Sequence, residues 1–201
     1  MSRSNPSEVR YRHYLRKFVH MGLGALALSI RFIPREWTLA ALGFAALTAW
    51  IIRPYWPVVM PMARATELRD GVMWGVRYYF GTLFLLAVFF GHRPEILTAS
   101  WFVLALGDGL SATIGGPGSA PVPWNRTKRL YGTLACFAGS AAALILARLW
   151  FLYPPDLEGI LVAAAIGLAV SVLESLRTPL DDNLLVGFGT ALLCSWTGFF
   201  Y

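Results

Sequence analysis

The stretch LYGTLACFAGSAAALILARLWF, residues 130 to 151, decides how this chain is to be read. Arg148 is its only charged residue. At about 1.5 Å per residue, a helix of this length matches the roughly 30 Å apolar thickness of a bilayer. Working outward, comparable apolar runs cover 17 to 33, 37 to 52, 71 to 90, 95 to 115, 158 to 176 and 183 to 201. The pattern predicts an all-α, polytopic integral membrane protein of about seven transmembrane helices. The first two runs are short for a full crossing, so tilting or local thinning of the bilayer is expected there.

Composition agrees with this reading. The chain has 201 residues, 57% hydrophobic and only 14% charged, with a mean hydropathy of +0.57. Such a chain is solvated by lipid, and its length leaves no room for a separate soluble domain. A single membrane-embedded domain over 1–201 is expected, with 1–14 as a cytoplasmic N-terminal arm. The net charge of +6 does not imply a nucleic-acid partner, because the basic residues are scattered between apolar segments. Cys136 and Cys194 lie inside apolar runs and read as packing residues. Arg10, Arg12, Arg16 and Lys17 precede the first apolar run as in a secretion signal. His20 and Arg31 interrupt or bound that run and further spans follow, so it reads as a retained membrane helix. The stretch 53–70 contains Pro54, Pro57 and Pro61 and is expected to be an irregular, surface-lying connection. A homo-oligomer is left open by the sequence.

Orientation follows from the lysines and arginines. Twelve fall on the side of the N-terminus, including Arg3, Arg10, Arg12, Arg53, Arg64, Arg69, Arg129 and Arg177, and four on the other, namely Arg31, Arg35, Arg93 and Arg148. Arg77 lies within a span. The N-terminus is therefore expected in the cytoplasm and the C-terminus across the membrane. The segments able to carry chemistry, 16–20, 64–70, 107–128 and 174–183, all fall at the cytoplasmic face. Glu67, Asp70, Asp181 and Asp182 are on that side too, which a bias in basic residues does not explain. No internal repeat is evident, which weighs against a transporter of duplicated halves.

Asp108 stands in an otherwise apolar helix, where an ionised carboxylate costs several kcal/mol unless it faces a cavity, an ion or a partner. Gly107, Gly109, Ser111, Ala112 and Gly115 around it allow close approach of a metal, a phosphate or another backbone. Capping of a helix break by Asp108 is the alternative. Glu174, Asp181, Asp182 and Asn183 place three carboxylates and an amide around the Pro179 turn, a plausible oxygen set for a hard cation such as magnesium. Capping of the last helix by Asp182 or Asn183 would account for part of that set. The loop from Gly115 to Lys128, rich in glycine and proline, ends in Asn125, Arg126, Thr127, Lys128 and Arg129, suited to phosphate through backbone amides and cations. It contains no Walker A pattern. Arg16, Lys17 and His20 lie close together at the start of the first apolar run. Snorkelling to lipid phosphates would explain the two cations, while His20 could accept a proton, orient a phosphate or fill a polar niche.

Four motifs occur in a telling order: LRKFVHMGLG at 15–24, GDGLSATIG at 107–115, PWNRTKRLYGTLA at 123–135 and VLESLRTPLDDNLLV at 172–186. Together they resemble the polyprenol kinase family, which includes dolichol, phytol and farnesol kinases, and most of all its phytol and farnesol kinase branch. RATELRDG at 64–71 is a weaker likeness to that branch. The chain departs from the pattern at Tyr131, where dolichol kinases often have an acid, and at 116–125, where GPGSAPVPWN lacks the usual basic pair and aromatic residue. The resemblance implies a kinase that uses CTP, or another nucleoside triphosphate, with a divalent metal, magnesium or manganese. Its substrate would be a membrane isoprenoid alcohol such as phytol, geranylgeraniol, farnesol or a polyprenol. On this likeness Asp108, Asp181 and Asp182 hold metal or activate the alcohol. Asn125, Lys128 and the Gly132 backbone contact nucleotide phosphates, and Arg16, Lys17 and His20 complete the site. Either Asp108 or Asp181 could be the base. The motifs also resemble CDP-diacylglycerol synthases, so a cytidylyltransferase is a second reading, and a noncatalytic transporter or scaffold a third.

Overall fold

The computed structural model describes residues 6–116, 118–154 and 156–201, with the side chains of residues 6–10 and 13 outside that description. Arg3 and the Arg10 side chain, counted above for orientation, fall outside it, as does Pro117 of the glycine-rich loop. The chain is predominantly helical. Helices α1 (Pro6–Gly24), α2 (Arg35–Ile51), α3 (Ala65–Asp70) and α4 (Trp74–Phe90) are followed by α5 (Pro94–Phe102) and α6 (Asp108–Ile114). Strands β1 (Pro121–Val122) and β2 (Asn125–Arg129) then precede α7 (Leu130–Trp150), α8 (Leu157–Ser175) and α9 (Asp182–Trp196).

Three segments, Pro94–Ile114, Leu130–Trp150 and Leu157–Ser175, are long and apolar enough to cross a membrane. Trp74–Phe90 is equally apolar but shorter. The first of these is the centre of the fold. Ile96, Leu97, Ala99, Val103 and Leu104 are inaccessible within it, packed among α4, α7, α9 and the turn after α1. Large apolar side chains face outward instead on α2 (Trp37, Phe44, Leu47, Trp50), α7 (Leu146, Leu149) and α8 (Leu161, Leu168). Water does not tolerate so much contiguous apolar surface on a monomer, and lipid does. The protein is therefore membrane-associated.

Three expectations about local structure change. The helix expected over 17 to 33 begins at Pro6, so most of the supposed arm is helical, and it tightens to a 3-10 helix over Ala25–Arg31. Arg16 and Lys17 thus sit within a helix and are carried inward by it. The loop before α7 departs from the all-α expectation. Pro121↔Arg129 and Val122↔Asn125 pair in a short antiparallel hairpin, the one departure from an all-α description among the described residues. The span expected over 95 to 115 is helical throughout but widens to a π-helix over Val103–Gly107, immediately before Asp108. π-segments re-aim the residues that follow them and recur at functional sites.

The connection between α2 and α4 is irregular, as its prolines require, apart from a 3-10 turn at Met60–Met62 and the short helix α3. Gly71 ends α3 at φ 67°, a left-handed conformation that glycine adopts without a Cβ penalty. Small residues bring the central helix close to its neighbours. A Cβ on Gly132 would lie 3.0 Å from the Ser111 carbonyl oxygen and 3.2 Å from the Gly115 Cα, so the backbones of α6 and α7 touch there. At the far end of the bundle the Arg148 guanidinium donates to the Phe199 carbonyl at 3.0 Å and Arg93 to the Tyr201 hydroxyl at 2.7 Å, tying down the C-terminus. The opposite end gathers the C-termini of α6 and α8 and the N-termini of α7 and α9.

Candidate active site

That gathering end holds a polar cavity of about 310 Å³. Arg16 and Lys17 reach it from α1, Asp108 and Ser111 from α6, Lys128 from β2, Gly132 from α7, Glu174 from α8, and Asp181, Asp182 and Asn183 from the start of α9. Acids and cations far apart in sequence thus share one mouth.

Two ion-pair systems organise the cavity. Lys17 Nζ lies 2.7 Å from Asp108 Oδ2. Lys128 Nζ bridges Glu174 Oε1 at 2.5 Å and Asp182 Oδ2 at 2.8 Å. Ser111 donates to the same Glu174 oxygen at 3.2 Å. Burial pulls the Lys128 ammonium towards neutrality, but the two carboxylates outweigh it and hold its pKa above the ordinary lysine value. Glu174 is only 3% exposed, and its other oxygen, Oε2, is buried without a hydrogen-bond partner. Leaving such an acceptor unmet is costly, and a bound cation would satisfy it.

Asp181 is the N-cap of α9, accepting at Oδ1 from the Asn183 backbone N–H at 3.0 Å and from Asn183 Nδ2 at 2.7 Å. Burial raises its pKa above the usual carboxylate range, and the Asn183 hydrogen bonds offset only part of that rise. The capping role considered for Asp182 or Asn183 therefore belongs to Asp181, which leaves Asp182 to pair with Lys128.

His20 Nε2 lies 2.9 Å from the Leu104 carbonyl oxygen, within the π-helix. A carbonyl can only accept, so Nε2 carries the proton and neutral His20 has Nδ1 left to accept one. Asp108 Oδ2 is 3.6 Å from the same Nε2. The His20 ring packs at 4.4 Å against Tyr79, whose hydroxyl accepts from Trp101 Nε1 at 2.7 Å.

A second, largely apolar cavity of about 230 Å³ adjoins the first, walled by Val19, His20, Leu23, Met73, Val76, Tyr79 and Phe80 and by Ile52, Val59 and Met62 of the connection. Five residues line both cavities: Arg16, Lys17, Arg64, Asp108 and Asn183. The junction is therefore charged, with polar space on one side and apolar space on the other.

Two expected phosphate contacts do not line the cavity. Asn125, 6% exposed, spends its side chain on structure: Nδ2 donates to the Ser175 carbonyl at 3.1 Å, and Oδ1 accepts from Thr127 N at 3.1 Å and Thr127 Oγ1 at 2.7 Å. It anchors β2 to the end of α8 and so aims Lys128. Arg126, on the same strand, points outward and is exposed. Asn125→Ala is expected to lower stability by about 1–3 kcal/mol through the orphaned partners, read as a lower unfolding midpoint in detergent. Nucleotide affinity should fall only as far as Lys128 is displaced.

The acids Asp108, Glu174, Asp181 and Asp182 and the amide Asn183 share the cavity but are not drawn into one ligand set. Among the described residues no three His, Cys, Asp or Glu side chains stand together as a ready metal cluster. The reason is Lys128, whose ammonium occupies the space between Glu174 and Asp182. The donors still suit magnesium, which commonly takes one or two protein carboxylates and completes its shell with water and substrate phosphate.

Arg64, Thr127 and Arg129, which lie in segment 64–70 and in the basic loop, line the polar cavity, and so does Thr133, which residue type alone does not single out. Residues 64–71 carry no local signal that the proline-rich connection turns Arg64 into the cavity. Comparison with protein-family models, curated proteins and solved structures finds no match for this chain, so its own geometry carries the functional reading.

Proposed function

We propose that the protein is a multi-pass membrane kinase that transfers the terminal phosphoryl group of a nucleoside triphosphate, CTP on the sequence resemblance, to an isoprenoid alcohol. The observation that carries this reading is the junction at which a cationic polar cavity and an apolar cavity meet at Asp108. A polyphosphate needs the first and a lipid tail the second, and a reaction between them belongs where they touch. The seven-span arrangement, the cytoplasmic N-terminus and a site at the cytoplasmic face complete the proposal, supported by the apolar runs and the distribution of lysine and arginine.

In this reading the alcohol enters from the bilayer with its tail in the apolar cavity and its hydroxyl at the junction. The hydroxyl oxygen attacks the terminal phosphorus, the new O–P bond forms as the bond to the bridging oxygen breaks, and the nucleoside diphosphate leaves. The alcohol proton passes to a carboxylate. Asp108 suits that role better than Asp181, because Asp108 lines both cavities whereas Asp181 lines the polar one alone and is engaged as a helix cap. Lys128, Lys17 and Arg16 supply positive charge where phosphate charge develops, the main contribution a protein makes to phosphoryl transfer. Glu174 and Asp182 would hold the divalent ion, whose contribution is to neutralise phosphate charge.

CTP labelled separately at its first and last phosphates, offered with isoprenoid alcohols or phosphatidate, tests the reading. Terminal label in the lipid is expected. Label from the innermost phosphate, with release of pyrophosphate, would instead establish a cytidylyltransferase, and ion flux in vesicles without any transfer would establish a transporter.

A further inference from the structure

Of the charged residues at the junction, Arg16, Lys17, Arg64 and Asp108, the proposed chemistry has used all but Arg64. It precedes α3 and is delivered to the site by the connection between α2 and α4, not by a long helix. That delivery is rigid. Glu67, 1% exposed, accepts from Arg64 N at 2.8 Å through Oε2 and from Gly75 N at 2.8 Å through Oε1. One buried carboxylate thus stitches the start of α3 to the first turn of α4 across the left-handed Gly71. The Arg64 guanidinium lies alongside the same turn, since a Cβ on Gly75 would meet Glu67 Oε1 at 3.4 Å and Arg64 Nη2 at 3.8 Å, both ordinary contact distances.

The charge balance at the junction singles Arg64 out. Lys17 is paired with Asp108, and Lys128 with Glu174 and Asp182. Among the described residues no salt bridge joins a carboxylate to the guanidinium of Arg64 or Arg16. Both guanidiniums line both cavities, and their charges repel, offset in part by Glu67 and Asp108 at Arg16 and by Asp181 at Arg64. Two guanidiniums that line the same junction with no carboxylate in salt-bridge contact are an arrangement that an anion completes, and their planar forks suit phosphate oxygens.

We infer that Arg64 is a catalytic residue which, together with Arg16, grips the phosphoryl group as it passes from the polar cavity to the acceptor at the mouth of the apolar one, and that Glu67 is its positioning residue. This rests on the kinase reading. The contact would be strongest while the phosphoryl group is between the two cavities, so its loss should appear in kcat more than in nucleotide binding.

The full-length protein in detergent or nanodiscs, assayed with terminally labelled CTP and farnesol, provides the test. Arg64→Ala is expected to lower kcat by about 10²–10³-fold, to change the affinity for a non-transferable CTP analogue less than about threefold, and to regain part of its rate in millimolar guanidinium. Glu67→Gln should lower kcat less, and guanidinium should not restore it. Arg64→Ala within about threefold of the native rate overturns the inference and leaves the kinase reading intact, as does a loss that guanidinium does not relieve. If the native protein transfers no terminal phosphate, the kinase reading falls and this inference with it.

Discussion

Asp108→Asn is expected to lower phosphoryl transfer by about 10²–10⁴-fold, the usual contribution of a positioned general base, while nucleotide binding persists. The substitution keeps shape and removes the charge. It leaves no carboxylate to accept the alcohol proton where, among the described residues, Asp108 alone of the carboxylates borders both cavities, and it weakens the hold on Lys17, now 2.7 Å away. Single-turnover transfer of terminal label to an isoprenoid alcohol reads the first effect, and binding of a non-transferable nucleotide shows that the polar cavity survives. Near-native turnover in Asp108→Asn together with loss in Asp181→Asn would move the base to the start of α9.

Lys128→Met should abolish transfer and also destabilise the protein, by about 3–5 kcal/mol. The stability loss arises because the Glu174 carboxylate, 3% exposed, would lose the ammonium that compensates it and stand buried without a partner of opposite charge. Lys128→Met combined with Glu174→Gln should recover most of the unfolding midpoint, because no uncompensated carboxylate remains at that position, yet it should remain inactive. If the double variant regains turnover, Lys128 serves structure alone. The pH dependence has a definite sign. Lys128 titrates above an ordinary lysine, whose pKa is about 10.4, so the stability from its ion pairs is fully present below that value and is lost as pH rises through the higher folded value. Magnesium added with nucleotide should compete with this ammonium for Glu174 and Asp182, so the destabilising effect of Lys128→Met should shrink when both are present.

Much of the helical architecture was legible in the sequence because it is written locally. Residues 130–151 declare an apolar helix by length and composition alone, and α2, α4, α8 and the start of α9 fall within a few residues of the runs that predicted them. The early start of α1 and the π-helix before Asp108 were not legible. Polar residues at 6–14 carry no apolar period, and a π-turn differs from an α-turn by hydrogen-bond register, not by residue type.

At the site, residue types indicated which side chains needed a partner, and tertiary structure chose the partners. Asp108 in an apolar helix required compensation whatever the fold, since desolvating a carboxylate is expensive anywhere in the chain. That Lys17, 91 positions away, provides it follows from the packing of α1 against α6. Asn125 and Lys128 stand three residues apart on one basic loop, and residue type suits both to phosphate. The hairpin turns Asn125 inward to Ser175 and Lys128 into the cavity, because an extended strand sends its side chains in directions set by pairing, not by composition. Arg64 illustrates the same division. Its identity and neighbours could be read from residues 64–71, but its place between two cavities depends on a buried carboxylate that joins two helices in space.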